Sequence, residues 1–86
     1  MAVLTVYGRE DCHLCSEMIA ALEPLQGRYG FTLEVVDVDR DQALEERYGA
    51  LVPVLAAGNE EICHYFFDPD ALQRHFALMA ENPRIR

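Results

Sequence analysis

The chain has 86 residues, about half of them hydrophobic, a formal net charge of −8, and seven basic residues that are all arginine. That length supports one small domain with a single modest core. The acidity excludes the clustered cations that nucleic acid requires, makes an anionic membrane surface a poor partner, and reads most simply as solubility.

No apolar run approaches the roughly 20 residues needed to span a bilayer. The opening "MAVLTV" lacks the basic head and long apolar core of a signal peptide. The expected compartment is therefore the cytoplasm, where thiols stay mostly reduced, and a monomer is expected. Three cysteines make an odd set, which argues against a purely structural disulfide framework.

Val3 to Tyr7 is rich in β-branched and aromatic residues and ends at Gly8, predicting a buried strand. Ser16 to Tyr29 carries Met18, Ile19, Leu22 and Leu25 at helical spacing, in a helix that starts near Cys12. Pro24 removes an amide hydrogen bond and is expected to kink or split that helix near Ala20 to Glu23, and Gly30 ends it. Phe31 to Asp37 predicts a second strand. Asp39 with Gln42 three residues later resembles a capping box for a short helix over Asp41 to Tyr48, closed by Gly49.

"LVPVLAA" predicts a third strand, entered through Pro53. Gly58-Asn59 is turn chemistry, and Glu61 to Phe66 is expected to return as a fourth strand in a hairpin. In "DPDALQRHFALMA" Asp68 is placed as N-cap and Pro69 at the first helical position, with Leu72, Phe76 and Met79 on the apolar face. Residues 1–81 are expected to form the domain and 82–86, "NPRIR", a frayed tail. The order is β-α-β-α-β-β-α. It implies an α/β fold with a mixed four-stranded sheet: parallel strands from the βα units, antiparallel strands from the hairpin, and helices on both faces.

The chemistry concentrates in "EDCHLCS". Cys12 and Cys15 stand three apart between a strand and a helix, a spacing that suits a redox couple, half of a zinc site, or two ordinary buried thiols. Strand, short loop, C-x-x-C, helix and a later "VP" form the layout of the thioredoxin fold. The chain resembles the glutaredoxins, and among them a group of short bacterial glutaredoxin-like domains with a C-x-L-C motif. "LTVYGREDCHLC", "EVVDVD", "YGALVPVL" and "FFDPDAL" carry the resemblance over nearly the whole length.

The resemblance implies a thiol–disulfide oxidoreductase. Its substrate would be a disulfide-containing protein or a low-molecular-weight thiol. No cofactor would be tightly bound, and glutathione is the candidate co-substrate. Cys12 is the expected nucleophile, because unpaired amides and the helix dipole at a helix start stabilise a thiolate. Cys15, deeper in the helix, would resolve the mixed disulfide.

In the family the proline matching Pro53 is cis, and the backbone of the preceding residue, Val52, pairs with an extended substrate. Arg9 stands for the cation that precedes the first cysteine. His13 is read either as a donor to the Cys12 sulfur or as a solvated side chain.

Three departures are visible. His-Leu replaces the usual Pro-Tyr between the cysteines, and Glu10 and Asp11 separate Arg9 from Cys12. The family's glutathione-binding Gly-Gly turn is absent, while its neighbouring aspartate survives as Asp68 or Asp70. Cys63 reads as a buried small hydrophobe, and Tyr7, Tyr29, Phe31, Tyr65 and Phe66 as core or edge aromatics. The alternatives are a metal module, with Cys12, Cys15 and His13 or Cys63 as zinc ligands or the cysteine pair holding an iron–sulfur cluster at a dimer interface, and a non-catalytic partner-binding domain.

Overall fold

Alternating apolar residues in four short segments form a sheet whose two faces bury different cores. The computed structural model describes residues 2–81. The strands are β1 (Ala2–Gly8), β2 (Phe31–Asp37), β3 (Val54–Ala57) and β4 (Glu60–His64), and the helices α1 (His13–Leu22), α2 (Gln26–Tyr29), α3 (Gln42–Tyr48) and α4 (Pro69–Glu81). The sheet order is β2-β1-β3-β4. β1 and β2 run parallel, with Gly8 opposite Asp37. β3 runs antiparallel to β1, Tyr7 facing Val54, and β4 antiparallel to β3, Val54 facing His64.

Side chains alternate across a strand, so neighbours on β1 belong to different cores. Leu4 and Val6 pack with Met18 and Leu22 of α1, Leu72 of α4, Phe31, Leu55 and Cys63. Tyr7 packs on the opposite side with Val38, Tyr48 of α3 and Val54. Tyr7 and Tyr48 stack with ring centroids 4.3 Å apart. Helices therefore cover both faces, α1 and α4 on one and α3 on the other.

The long helix breaks as its proline requires. A 3₁₀ turn at Glu23–Leu25 separates α1 from α2, and Gly30 ends α2 in the left-handed conformation at φ 73°. Asp68 caps α4 through Oδ1, which accepts from the amides of Asp70 and Ala71, each at 3.1 Å.

Several boundaries differ from expectation. The cap of α3 is Asp41, not Asp39: its Oδ1 accepts from Ala43 and Leu44, while Asp39 pairs with Arg9. β3 starts at Val54, after a cis Val52–Pro53 bond. β4 stops at His64, because Tyr65 turns the chain with φ 65°. Tyr65 and Phe66 are not core residues, being 41 % and 67 % exposed, and Met79 at 49 % does not face the core. The expected tail, 82–86, lies outside the described residues. Among the described residues no helix is long and apolar enough to cross a membrane.

Tyr65 holds a backbone conformation that costs an L-residue about 1 kcal/mol, and two bonds offset the cost. Its amide donates to the Pro53 carbonyl at 2.8 Å and its hydroxyl to the Ala50 carbonyl at 3.1 Å. Tyr65→Ala loses the hydroxyl bond and keeps the strain, whereas Tyr65→Gly loses the bond and relieves it. In urea denaturation the glycine variant is expected to be the more stable of the two by about 1 kcal/mol.

Candidate active site

The register places the candidate residues at one end of the sheet. β1 and β2 finish there at Gly8 and Asp37, β3 starts there, and β4 finishes there at His64. The segments that continue from those positions, 9–12, 38–41, 51–53 and 65–68, meet at this end. They hold Arg9, Cys12, Val52, Pro53 and Asp68, and α1 begins there with His13 and Cys15.

Cys12 is the N-cap of α1, with extended backbone, and its sulfur accepts from the Cys15 amide at 3.1 Å. The Cys12 carbonyl accepts from the Ser16 amide at 3.2 Å, which closes the first helical turn. The two cysteines are joined in a disulfide across a Cα–Cα distance of 5.2 Å. Their surroundings differ: Cys12 is half-buried and Cys15 is 4 % exposed. The accessible sulfur thus sits at the helix start, and the shielded one lies beneath it.

Gly8 makes this burial feasible. A Cβ at that position would stand 2.9 Å from the Cys15 sulfur and 3.2 Å from its Cβ. Both lie inside ordinary van der Waals contact. Sequence reasoning treated Gly8 only as a strand end, because its role comes from a contact between elements and not from local conformation.

Arg9 does not point its charge at Cys12. Its guanidinium pairs with Asp39, with Glu45 of α3 at 3.1 Å, and with the Gly49 carbonyl at 2.9 Å. The hydrogen bond it donates to Glu45 is the main cause that pushes its pKa upward, so it stays cationic. Glu45 and Gly49 were not among the expected site residues, and their separation of 36 and 40 positions from Arg9 hides the clamp in the sequence. His13 is exposed and its Nε2 lies 2.8 Å from Glu17, one helical turn on.

Two grooves meet at the cysteines. One, of about 350 Å³, is lined by Gly8, Arg9, Glu10, Cys15, Ser16 and Asp37 among others. The other, of about 480 Å³, holds Cys12 with four acids, Glu10, Asp11, Asp37 and Asp39, and two arginines, Arg9 and Arg40. Neither is lined by Val52, Pro53 or Asp68. Those three share the site's end of the sheet without sharing its grooves. Val52 makes no hydrogen bond to another described residue, whereas the Pro53 carbonyl is taken by Tyr65.

Cys63 is buried and outside the disulfide. Burial is the largest cause that pushes its thiol pKa up from the ordinary 9.0; a backbone hydrogen bond from Asp68 opposes this, and the charges of Asp68 and Glu61 add to it. Among the described residues no group of three or more His, Cys, Asp or Glu could hold a metal ion.

Residues 3–77 match the family described as Glutaredoxin-like domain (DUF836). Solved structures of similar proteins include the solution structure of Ne2328 from Nitrosomonas europaea, 47 % identical with a TM-score of 0.79, covering 86 % of this chain and 89 % of that one. Protein XcR50 from X. campestris is 39 % identical with a TM-score of 0.67, covering 87 % of this chain and 96 % of that one. The glutaredoxin-like protein NrdH-redoxin from Escherichia coli, whose structure is described as the basis of a thioredoxin-like activity profile, is 30 % identical with a TM-score of 0.59, covering 84 % and 92 %. No match is found among the curated proteins.

Two tests follow from this geometry. Gly8→Ala forces Cys15 or the end of β1 to shift and is expected to lower stability by about 1–3 kcal/mol in urea denaturation of the oxidised protein. For Cys63, a thiol reagent is expected to find no reactive group in the native oxidised protein and one after denaturation. Well below pH 9.0 both folded and unfolded Cys63 are neutral. Above it the unfolded thiol ionises first, so stability falls as pH rises. The fall between pH 8 and 10 is expected to be shallower in Cys63→Ala, read from urea midpoints.

Proposed function

Because the chain belongs to the glutaredoxin-like domain family and carries its thioredoxin-type fold, we propose that it is a thiol–disulfide oxidoreductase working through Cys12 and Cys15. One observation carries this reading: a disulfide whose accessible sulfur caps a helix and accepts that helix's amide at 3.1 Å, while its partner is buried.

In the reducing direction the Cys12 thiolate attacks one sulfur of a substrate disulfide. The substrate S–S bond breaks, a Cys12–substrate disulfide forms, and the first substrate thiolate leaves and takes up a proton. The Cys15 thiolate then attacks the Cys12 sulfur. The Cys12–Cys15 bond forms and the second substrate thiolate departs. Two electrons pass from the protein to the substrate, and the protons lost by Cys12 and Cys15 are matched by those gained by the two released thiols.

Burial gives each sulfur its part. The Cys15 amide and the N-terminus of α1 favour negative charge on Cys12. Cys15, shielded from solvent, meets only a sulfur already attached to Cys12. The unbonded backbone of Val52, at the same end of the sheet, is suited to pair with an extended polypeptide substrate. Asp68 uses one carboxylate oxygen as a helix cap, which leaves the other for a substrate amine. External thiol reductants restore the dithiol: glutathione is the low-molecular-weight candidate and a thioredoxin-type reductase the protein one.

Cys12→Ser is expected to lower reduction of 2-hydroxyethyl disulfide by at least about a hundredfold, because the nucleophile is lost. Cys15→Ser is expected to accumulate a Cys12–substrate disulfide visible as added mass in intact-protein mass spectrometry. Equal turnover by the wild type and Cys12→Ser would sink the reading.

A further inference from the structure

Resting on the redox reading above, we propose that the Cys12 site selects its substrates by charge. It takes disulfides with positive charge beside the sulfur, such as protein cysteines flanked by arginine or lysine, in preference to anionic ones such as glutathione disulfide.

The groove that holds Cys12 is lined by four carboxylates and two guanidiniums, and each guanidinium already has an acidic neighbour. Arg9 is held by Asp39, Glu45 and the Gly49 carbonyl, and Arg40 lies 3.7 Å from Asp37. Turning Arg9 towards an anionic substrate would break three contacts. Glu10 and Asp11 immediately precede Cys12, are exposed, and have no ion pair among the described residues. Two uncompensated negative charges therefore stand beside the sulfur that a substrate must reach.

Separations within one groove are comparable to the Debye length of about 8 Å at physiological salt, so these charges are felt by an incoming substrate. Charges lining a concave surface act on the rate of encounter and fall in influence as salt rises. Glutathione disulfide carries a net negative charge at neutral pH, whereas a disulfide between basic peptide segments carries a positive one. The same carboxylates thus repel the first and attract the second.

The test measures second-order rate constants of the reduced protein with three disulfides: cystamine (cationic), 2-hydroxyethyl disulfide (neutral) and glutathione disulfide (anionic). The ratio of the cystamine to the glutathione disulfide constant cancels any effect on Cys12 reactivity itself. In Glu10→Gln/Asp11→Asn this ratio is expected to fall about tenfold from its wild-type value. In Glu23→Gln/Glu60→Gln it should stay at the wild-type value. That second pair removes the same charge at the C-terminal end of α1 and the start of β4, both away from the site.

Raising salt is expected to slow the cystamine reaction and speed the glutathione disulfide one in the wild type. A ratio unchanged in Glu10→Gln/Asp11→Asn, with all three disulfides reduced, overturns the charge selection and leaves the redox reading standing. An equal fall in both double variants also overturns it, since net charge and not the groove would then be responsible. Failure to reduce any of the three overturns the redox reading and this inference with it.

Discussion

The contact between Gly8 and Cys15 sets the geometry of the site. Without a side chain at the end of β1, the sulfur of Cys15 comes within the space a Cβ would need, and the first turn of α1 settles against the strand. Cys15 is buried there in the first turn of α1, and the residue three positions earlier stands at the helix start. Cys12 thereby becomes the N-cap, with its sulfur facing the Cys15 amide. The two sulfurs share a bond but live in different surroundings, and the roles proposed for them rest on that asymmetry. A single missing methyl group thus links strand packing to the unlike exposure of the two sulfurs.

Two tethers hold the loops around this pair. Arg9 ties the segment after β1 to α3 through Glu45 and the Gly49 carbonyl. A Cβ at Gly49 would collide with Glu45 and approach the Arg9 guanidinium to 2.8 Å. Tyr65 ties the segment after β4 to the stretch that carries the cis Val52–Pro53 bond. The ion pairs of Arg9 are partly solvent-exposed, so their contribution to stability is small. Their weight lies in geometry, because they tie up the cation that precedes Cys12 in the chain.

Much of this architecture was legible in the chain. The Pro24 break, the Gly30 stop, the Asp68–Pro69 start of α4 and the strand–CxxC–helix arrangement are local signals, and each is met in the structure. Two misreadings share one cause. Asp39 had the spacing of a cap, but a long-range arginine claimed it and Asp41 capped instead. Tyr65 had strand propensity, but tertiary hydrogen bonds held it in a left-handed turn and ended β4 early. Arg9 was read against its neighbour Cys12, although its partners lie on a separate element. Local propensity and spacing reach about one turn along the chain, and these residues answer to contacts 12 or more positions away.

The two acids before Cys12 and the helix start behind it pull in opposite directions, and magnitudes separate their spheres of action. The Cys15 amide touches the Cys12 sulfur directly. Hydrogen bonds to a charged group contribute about 1.5–3 kcal/mol. Glu10 and Asp11 are exposed, and solvent reduces the repulsion between a carboxylate and a nearby thiolate to about 1 kcal/mol or less. Of the two influences, the amide is the one in contact with the sulfur. A substrate approaching through solvent has no such amide to meet before it docks, and the carboxylates act on it first. Under the proposed charge selection, the acids do not need to silence Cys12 to matter: the helix start meets the sulfur, and they bear on which disulfides arrive.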